Sequence, residues 1–265
     1  STSASEGVAT LLMAMLLEPQ FLYYLELDGE EVAPGGVAAL RGVSAEFKLA
    51  KNVSDVQRRK ALAAWITDPA NPLFARVIVN RAWHYHFGRG IVETPSDFGS
   101  GGGRPSHPKL LDWLAGWFRK NGYSLKALHR LIVTSETWKQ SSASRPAGLA
   151  RDSDNVFLWR FSPRRVDAEV LRDSILAVAG ALNTRRGGPG YEDVREQHFN
   201  AGRYYHPIEV AGPQFNRRTI YRFSPRGARS ALLDTFDCPD PSSTSPRRAV
   251  TTTPLQALTL SNNPF

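Results

Sequence analysis

The segment from Asn71 to Gly99 constrains the fold most, because it carries start and stop signals for one long helix. Asn71 is a residue type that caps free backbone N–H groups, and Pro72 suits the first helical position. Apolar and aromatic residues then follow at helical spacing, and Gly88 and Gly90 end the pattern. The segment therefore predicts a core helix with a tight glycine exit.

Helical patterns recur along the rest of the chain, whereas strand signals are few. They predict helices over Asp55–Ile66, Ser106–Asn121, 125–132, Arg164–Leu182 and Ser230–Phe236, and a final helix from Pro254. The segment Thr219–Phe223 carries the best strand signal, and Ser141–Arg151 is predicted to be a loop. The expected fold is mainly α: a bundle-like domain of five or six helices, with long loops and a little β near residues 200–225.

Two regions are predicted. Residues 1–54 are expected to form an N-terminal helix, Glu6–Leu17, and a linker, and residues 55–265 one mainly helical domain. The apolar run Leu11–Leu17 is far shorter than the roughly 20 residues that span a membrane, so no transmembrane segment is expected. The abrupt end at Asn262–Phe265 predicts that the helical domain is truncated at its C-terminus.

The chain of 265 residues has a net charge of +8 and a pI of about 9.8, a balance that suits an anionic partner without requiring one. Nucleic acid, anionic polysaccharide and an acidic protein would all satisfy this charge, and scattered surface arginines without a ligand would produce it too. Cys238 is the single cysteine, which excludes an intrachain disulfide, a thiolate zinc cluster and covalently attached haem.

Seven segments from Glu30 onward carry distinctive motifs in a fixed order. They read EEVAPG at 30–35, LAAWITDPANPLFARVIVNRAWHYHFGRGIVETPSDFG at 62–99, PSHPKLLDWLA at 105–115, LHRLIVTSETWKQSS at 128–142, DNVFLWRFSPRRVDAEVLRDSILAVAG at 154–180, RRTIYRF at 217–223 and TTTPLQALTLSNNPF at 251–265. Together they resemble a planctomycete-type domain of unknown function, found C-terminal to planctomycete cytochrome c domains in exported proteins. Residues 1–29 look like a piece of a neighbouring planctomycete family.

The resemblance implies export to a periplasmic or cell-surface location. It also implies haem c on a neighbouring domain of the full-length protein, with no cofactor in this chain. It implies no established reaction, so candidate residues have to come from the sequence itself.

A first set of candidates lies around the long helix and forms a possible polar pocket with a His/Asp site. Its members are Asn80, Arg81, His84, Asp97 and His107. Such residues either tie loops to the helix as buried polar groups or hold a ligand. His84 and His86 lie two apart and so point to different helix faces, and no motif such as HExxH is present. No metal site is therefore predicted.

A second set lies at the start of the helix predicted over 164–182. Glu169 and Asp173 share a face at a spacing of four residues, with Arg165 and Arg172 beside them. Two carboxylates across a cleft can perform the acid and base steps of glycoside hydrolysis. Neighbouring arginines would instead keep both carboxylates ionised in a structural ion network, in which Arg165 can pair with Glu169.

A third set combines arginine and aromatic residues near the C-terminus. Its ligand-binding candidates are Arg217, Arg218, Tyr221, Arg226 and Arg248. Guanidinium groups bind carboxylate or sulfate at two points, and aromatic faces stack on sugars. Pairing of these arginines with Asp234, Asp237 and Asp240 is the structural alternative.

The favoured function is an exported helical binding module, associated with a cytochrome-containing protein. It would bind anionic polysaccharide or a partner such as a cytochrome c-type domain through these arginine and aromatic residues, and nucleic acid is not expected. The alternative is a polysaccharide-acting hydrolase that uses Glu169, Asp173, Asp97 or His107. Carboxylates that are each held by arginine would favour the module, whereas two available carboxylates beside stacked aromatics would favour the enzyme.

Overall fold

The computed structural model describes residues 49, 53–99, 101–200, 202–263 and 265. These residues form eight α-helices and a two-stranded sheet, which confirms the mainly α class. The chain divides into two compact units between Pro163 and Arg164, here called the N-terminal and C-terminal units. The predicted helix Glu6–Leu17 lies outside the described residues, and the boundary near residue 54 stays a prediction.

The described part of the N-terminal unit contains five helices. They are α1 (Asp55–Thr67), α2 (Pro72–Phe87), α3 (Pro108–Lys120), α4 (Leu125–Val133) and α5 (Pro146–Arg151). Side-chain caps begin several of them: Ser54, Asn71 and Ser124 accept hydrogen bonds from the first turns of α1, α2 and α4. None of the helices in the described residues is long and apolar enough to cross a membrane.

Helix α2 is the core element that the sequence predicts. Asn71 caps it, Pro72 begins it, and Gly88 ends it in the left-handed conformation, with φ at 80°. Val79 on this helix is fully buried, and it belongs to a core with Phe118 of α3 and Leu128 of α4. The helix therefore supplies one surface of a core to which α3 and α4 contribute the facing side chains.

A buried amide fixes the chain where it leaves α2. The Asn80 side chain, fully buried, donates to the carbonyl of Val92 at 2.9 Å and accepts the Val92 N–H at 2.8 Å. Gly90 packs directly against this amide. A residue with a Cβ would not fit at this position, because the Cβ would come within 2.9 Å of the Asn80 amide atoms. The glycine exit is thus a packing requirement of this amide contact.

The C-terminal unit has three helices in its described residues, together with the sheet. They are α6 (Ala168–Val178), β1 (Val194–Phe199), β2 (Gly202–Pro207), α7 (Ala231–Thr235) and α8 (Pro254–Asn262). The strands pair antiparallel, from Val194 opposite Pro207 to Phe199 opposite Gly202. A small core of Ala168, Leu233 and Phe236 joins α6 to the α7 region.

Three local predictions are wrong. The strand expected at Thr219–Phe223 is a 3₁₀ turn over Thr219–Tyr221, and the strands lie before it in the chain. The helix expected over Arg164–Leu182 begins only at Ala168, because Asp167 has extended backbone angles. The loop expected at Ser141–Arg151 contains α5, whose first position is a proline.

Candidate functional site

A cavity of about 440 Å³ in the C-terminal unit lies beside the first turns of α6. Its walls come from α6, the 3₁₀ turn, α7 and residues 238–248. Of the residues that the sequence singled out, it brings together Glu169, Asp173, Arg218 and Arg248. Acidic and basic side chains therefore face each other across one opening.

Glu169 and Arg248 form a two-point ion pair in this wall. Arg248 Nη1 donates to Glu169 Oε2 at 2.6 Å, and Nη2 donates to Oε1 at 2.9 Å. Such parallel, charge-assisted hydrogen bonds are among the strongest that side chains make. The pairing expected between Arg165 and Glu169 is wrong, because Arg165 precedes α6 and donates to Gln256 Oε1 at 2.9 Å.

The pKa values of Glu169 and of the neighbouring Cys238 are both shifted at this ion pair. Burial alone would raise the pKa of Glu169, but the hydrogen bonds and charge of Arg248 outweigh it, and the pKa lies below its usual value. Cys238 Sγ lies 3.8 Å from Glu169 Oε1. Burial, together with the charge of Glu169, raises the pKa of the Cys238 thiol to about 11. At neutral pH the carboxyl is therefore ionised and the thiol is protonated.

Asp173 is held by the 3₁₀ turn. Its Oδ1 accepts the Thr219 N–H at 2.7 Å and the Thr219 hydroxyl at 2.6 Å. Two arginines stand farther away, with Arg218 Nε 3.7 Å from Oδ2 and Arg172 Nη1 3.9 Å from Oδ1. Glu169 and Asp173, the acid–base candidates on α6, are therefore both engaged with donors of the protein itself.

A second cavity, of about 320 Å³, shares Ile220 and Arg222 with the first. Tyr221 and Phe223 contribute aromatic surface to its lining. We call these two neighbouring cavities, which share lining residues, the arginine groove. The groove is charged in its larger part and aromatic in its smaller part, and the Ile220 side chain lies at the junction, 80% exposed.

Two of the predicted ligand-binding residues serve the interior instead. Arg217 is buried, and its Nη atoms donate to the carbonyls of Pro189 at 2.5 Å and Gly187 at 2.7 Å. Its guanidinium also lies 3.8 Å from the centre of the Tyr221 ring, and the Tyr221 hydroxyl accepts the Gly187 N–H at 2.8 Å. One face of Tyr221 is thus covered by Arg217, so this pair holds the chain around residues 187–189.

Arg218 and Arg229 are the most exposed arginine side chains lining the groove, at 60% and 59%, and Arg229 also lies 3.6 Å from Asp240. Arg229 donates to Asp234 at 2.9 Å, and sequence reasoning missed it. The sequence signal that could have indicated this ion pair is the spacing of five residues between Arg229 and Asp234. Arg226 is exposed but does not line either cavity.

The candidates in the N-terminal unit lie in different surroundings. Asn80 is fully buried and uses both polar ends on Val92, whereas Arg81 and Asp97 are exposed. Arg81 donates to Ser96 at 3.2 Å, Asp97 accepts the Gly99 N–H at 2.9 Å, and the half-buried His107 lies 2.9 Å from the Ser106 hydroxyl. His84 is half-buried on α2. Asn80 and Arg81 thus tie the chain after α2 to that helix, whereas Asp97 and His107 contact near neighbours in sequence.

Within the residues that the structure describes, no group of three or more His, Cys, Asp or Glu side chains is placed to hold a metal ion. A protein-family model with the description "PSD1: Protein of unknown function (DUF1553)" matches residues 58–265, which is most of the chain. Comparison with curated proteins and with solved structures finds no match.

Proposed function

This chain belongs to the PSD1 family, a family without an assigned function, and we propose that it is a module that binds acidic polysaccharide in the arginine groove. The observation that carries the proposal is that the carboxylates of the groove are engaged within the protein, whereas an arginine side chain is exposed at its opening. Glu169 and Asp173 are occupied by Arg248 and Thr219, whereas the guanidinium of Arg218 stands 60% exposed at the opening.

The chemistry of the groove suits a sugar chain that carries carboxylate or sulfate groups. Arg218 and Arg229 can each direct N–H donors at such an anion, and guanidinium groups do this at two points. The adjoining cavity offers Phe223, which is 39% exposed, as an apolar surface for a neighbouring sugar ring. The setting included in the proposal is an exported protein with a cytochrome c-type neighbour, as the family resemblance implies.

The hydrolase alternative has less support from the same groove. A general acid needs a pKa near the working pH, but the pKa of Glu169 lies below its usual value. Asp173 Oδ1 already accepts two hydrogen bonds from Thr219, so this oxygen is engaged with the protein itself. The two carboxylates also lie on one helix face, so both would approach a substrate from the same side rather than across a cleft.

Binding of dextran sulfate, measured by calorimetry in physiological salt with uncharged dextran as the reference, tests the proposal. Arg218→Gln should weaken binding several-fold, because one exposed guanidinium of the groove is lost. Arg226→Gln is the matched control, since it removes the same charge from an exposed position outside the groove.

An equal loss of affinity in the two variants would mean that the polymer binds through the net charge of +8 alone. The groove would then not be the binding site. Absence of binding by the unaltered protein would refute the module. Release of new reducing ends from the polysaccharide would replace the module with the hydrolase.

A further inference from the structure

The hairpin of β1 and β2 has two faces of different character. Side chains alternate along each strand, and residues that pair across the strands share a face. The register therefore puts Arg195, Gln197, Phe199, Tyr204 and His206 on the same face, which we call the outer hairpin face. All five residues are exposed, Phe199 at 61% and Tyr204 at 52%. The hairpin thus presents aromatic and basic side chains to solvent.

The opposite face anchors the hairpin to the rest of the C-terminal unit. Val194 on that face is buried, and the ring centre of Tyr205 lies 6.5 Å from that of Phe223. Gly227 also packs against Tyr205, since a Cβ there would come within 3.2 Å of the ring. Because Phe223 lines the smaller cavity of the arginine groove, the hairpin is attached beside that cavity. The outer hairpin face is therefore the unpacked side of an anchored element.

The Tyr204 ring lies back along its own strand, over Gly202. A Cβ at residue 202 would come within 2.9 Å of Tyr204 Cε2 and 3.1 Å of its hydroxyl oxygen. The ring thus occupies the space that the missing side chain leaves, and it is still half exposed. Phe199 pairs with Gly202 across the strands, so a second exposed aromatic side chain starts beside the same glycine. An aromatic ring supported on one side and open on the other is suited to stacking.

The polar residues of the outer hairpin face suit a sugar better than a nucleic acid. Arg195 offers a guanidinium for one carboxylate or sulfate, and the Gln197 amide and Tyr204 hydroxyl can hydrogen-bond sugar hydroxyls. Nucleic-acid binding depends on several Lys or Arg contacts to phosphates. The five residues of this face include a single arginine and no lysine. Their chemistry therefore matches sugar rings that carry occasional acid groups.

We propose that the outer hairpin face is a second contact surface for the acidic polysaccharide. Tyr204 and Phe199 stack on sugar rings there, and Arg195 binds an acid group of the same chain. This inference rests on the proposed function of the arginine groove, and it adds recognition of the apolar faces of the sugars. Part of the affinity should therefore be independent of salt, because stacking is not screened as charge pairs are.

Calorimetry with dextran sulfate, in low-salt buffer and in physiological salt, tests this surface. Tyr204→Ala should weaken binding about two- to tenfold at both salt concentrations, because one stacking ring is lost. Arg195→Gln should also weaken binding, but its effect should shrink as salt rises. Tyr85→Ala is the matched control, because Tyr85 is 56% exposed on α2 of the N-terminal unit, and this variant should leave the affinity unchanged.

The variants separate failure of this surface from failure of the groove. Unchanged affinity in Tyr204→Ala, while Arg218→Gln still weakens binding, would overturn the hairpin surface and leave the groove. Absence of binding by the unaltered protein would overturn both. If Tyr204→Ala disturbs the hairpin, unchanged affinity in Arg195→Gln would overturn the proposal, since Arg195 is an exposed side chain. Tighter binding of oligo(dT) than of dextran sulfate, lost in Tyr204→Ala, would overturn the assignment to a saccharide.

Discussion

Replacing Asn80 with alanine should destabilise the N-terminal unit more than any surface change in it. The Asn80 side chain is fully buried, and it satisfies both the N–H and the carbonyl of Val92, which is itself 2% exposed. Removing the amide leaves two buried backbone groups without their partner. Each such loss costs about 1–3 kcal/mol, so the free energy of unfolding should fall by roughly 2–6 kcal/mol.

Urea unfolding followed by tryptophan fluorescence reports the stability of the N-terminal unit specifically. All six tryptophans precede Arg164, at positions Trp65, Trp83, Trp113, Trp117, Trp138 and Trp159. Asn121→Ala is the matched control, because Asn121 is exposed and donates one hydrogen bond, to Trp117 O at 2.8 Å. The control should change stability by less than about 0.5 kcal/mol.

Asn80→Asp adds a test that depends on pH. The new carboxylate can still accept the Val92 N–H, but it cannot donate to the Val92 carbonyl while ionised. Burial raises the pKa of this carboxyl above its value in the unfolded chain, so the variant should lose stability as pH rises. A loss below 1 kcal/mol in Asn80→Ala, or no pH trend in Asn80→Asp, would refute the reasoning.

Two further predictions concern the ion pair of the groove. The lowered pKa of Glu169 means that its contribution to stability is present above the unfolded pKa, near 4.5, and is lost as pH falls through the lower folded value. Thermal melts from pH 6 to pH 3 should show this loss, and Glu169→Gln should be less stable at pH 6 with a flatter profile; parallel profiles would contradict it. The Cys238 thiol, with a pKa of about 11, should react with iodoacetamide at pH 8 far more slowly than free cysteine, and Glu169→Gln should speed the reaction. An alkylation rate equal to that of free cysteine, measured by mass spectrometry, would mean that the thiol is neither buried nor next to a carboxylate.

Where local residues decide the structure, the sequence was sufficient. The bounds of α2 follow from Asn71, Pro72 and Gly88, and the structure confirms all three. A little β was predicted near residues 200–225, where β2 lies, but the two strands were not assigned individually, because only Val194 of β1 is buried and no alternation of apolar and polar residues marks them. Thr219–Phe223 has β-branched and aromatic residues, but Asp173 binds the Thr219 N–H and a 3₁₀ turn results. Tertiary contacts overrode the local preference there.

The same distinction applies to the groove. A spacing of four residues on one helix puts Glu169 and Asp173 side by side, and this was visible in the sequence. The partner of Glu169 was not visible, because Arg248 lies 79 positions farther along the chain. Arg217 and Arg218 are neighbours in sequence, yet one is buried and the other is 60% exposed. Only the fold distinguishes an internal guanidinium from an accessible one.

Arg172 and Arg217 hold the chain between α6 and the 3₁₀ turn in a way that tolerates changes of amino acid there. Arg172, buried on α6, donates to the carbonyls of Phe215 and Arg217, and Arg217 donates to those of Pro189 and Gly187. Every amino acid supplies a carbonyl, so these anchors tolerate replacement of the residues that they hold. The outward side chains of this region can therefore change during evolution while the two buried guanidinium groups keep its backbone in place.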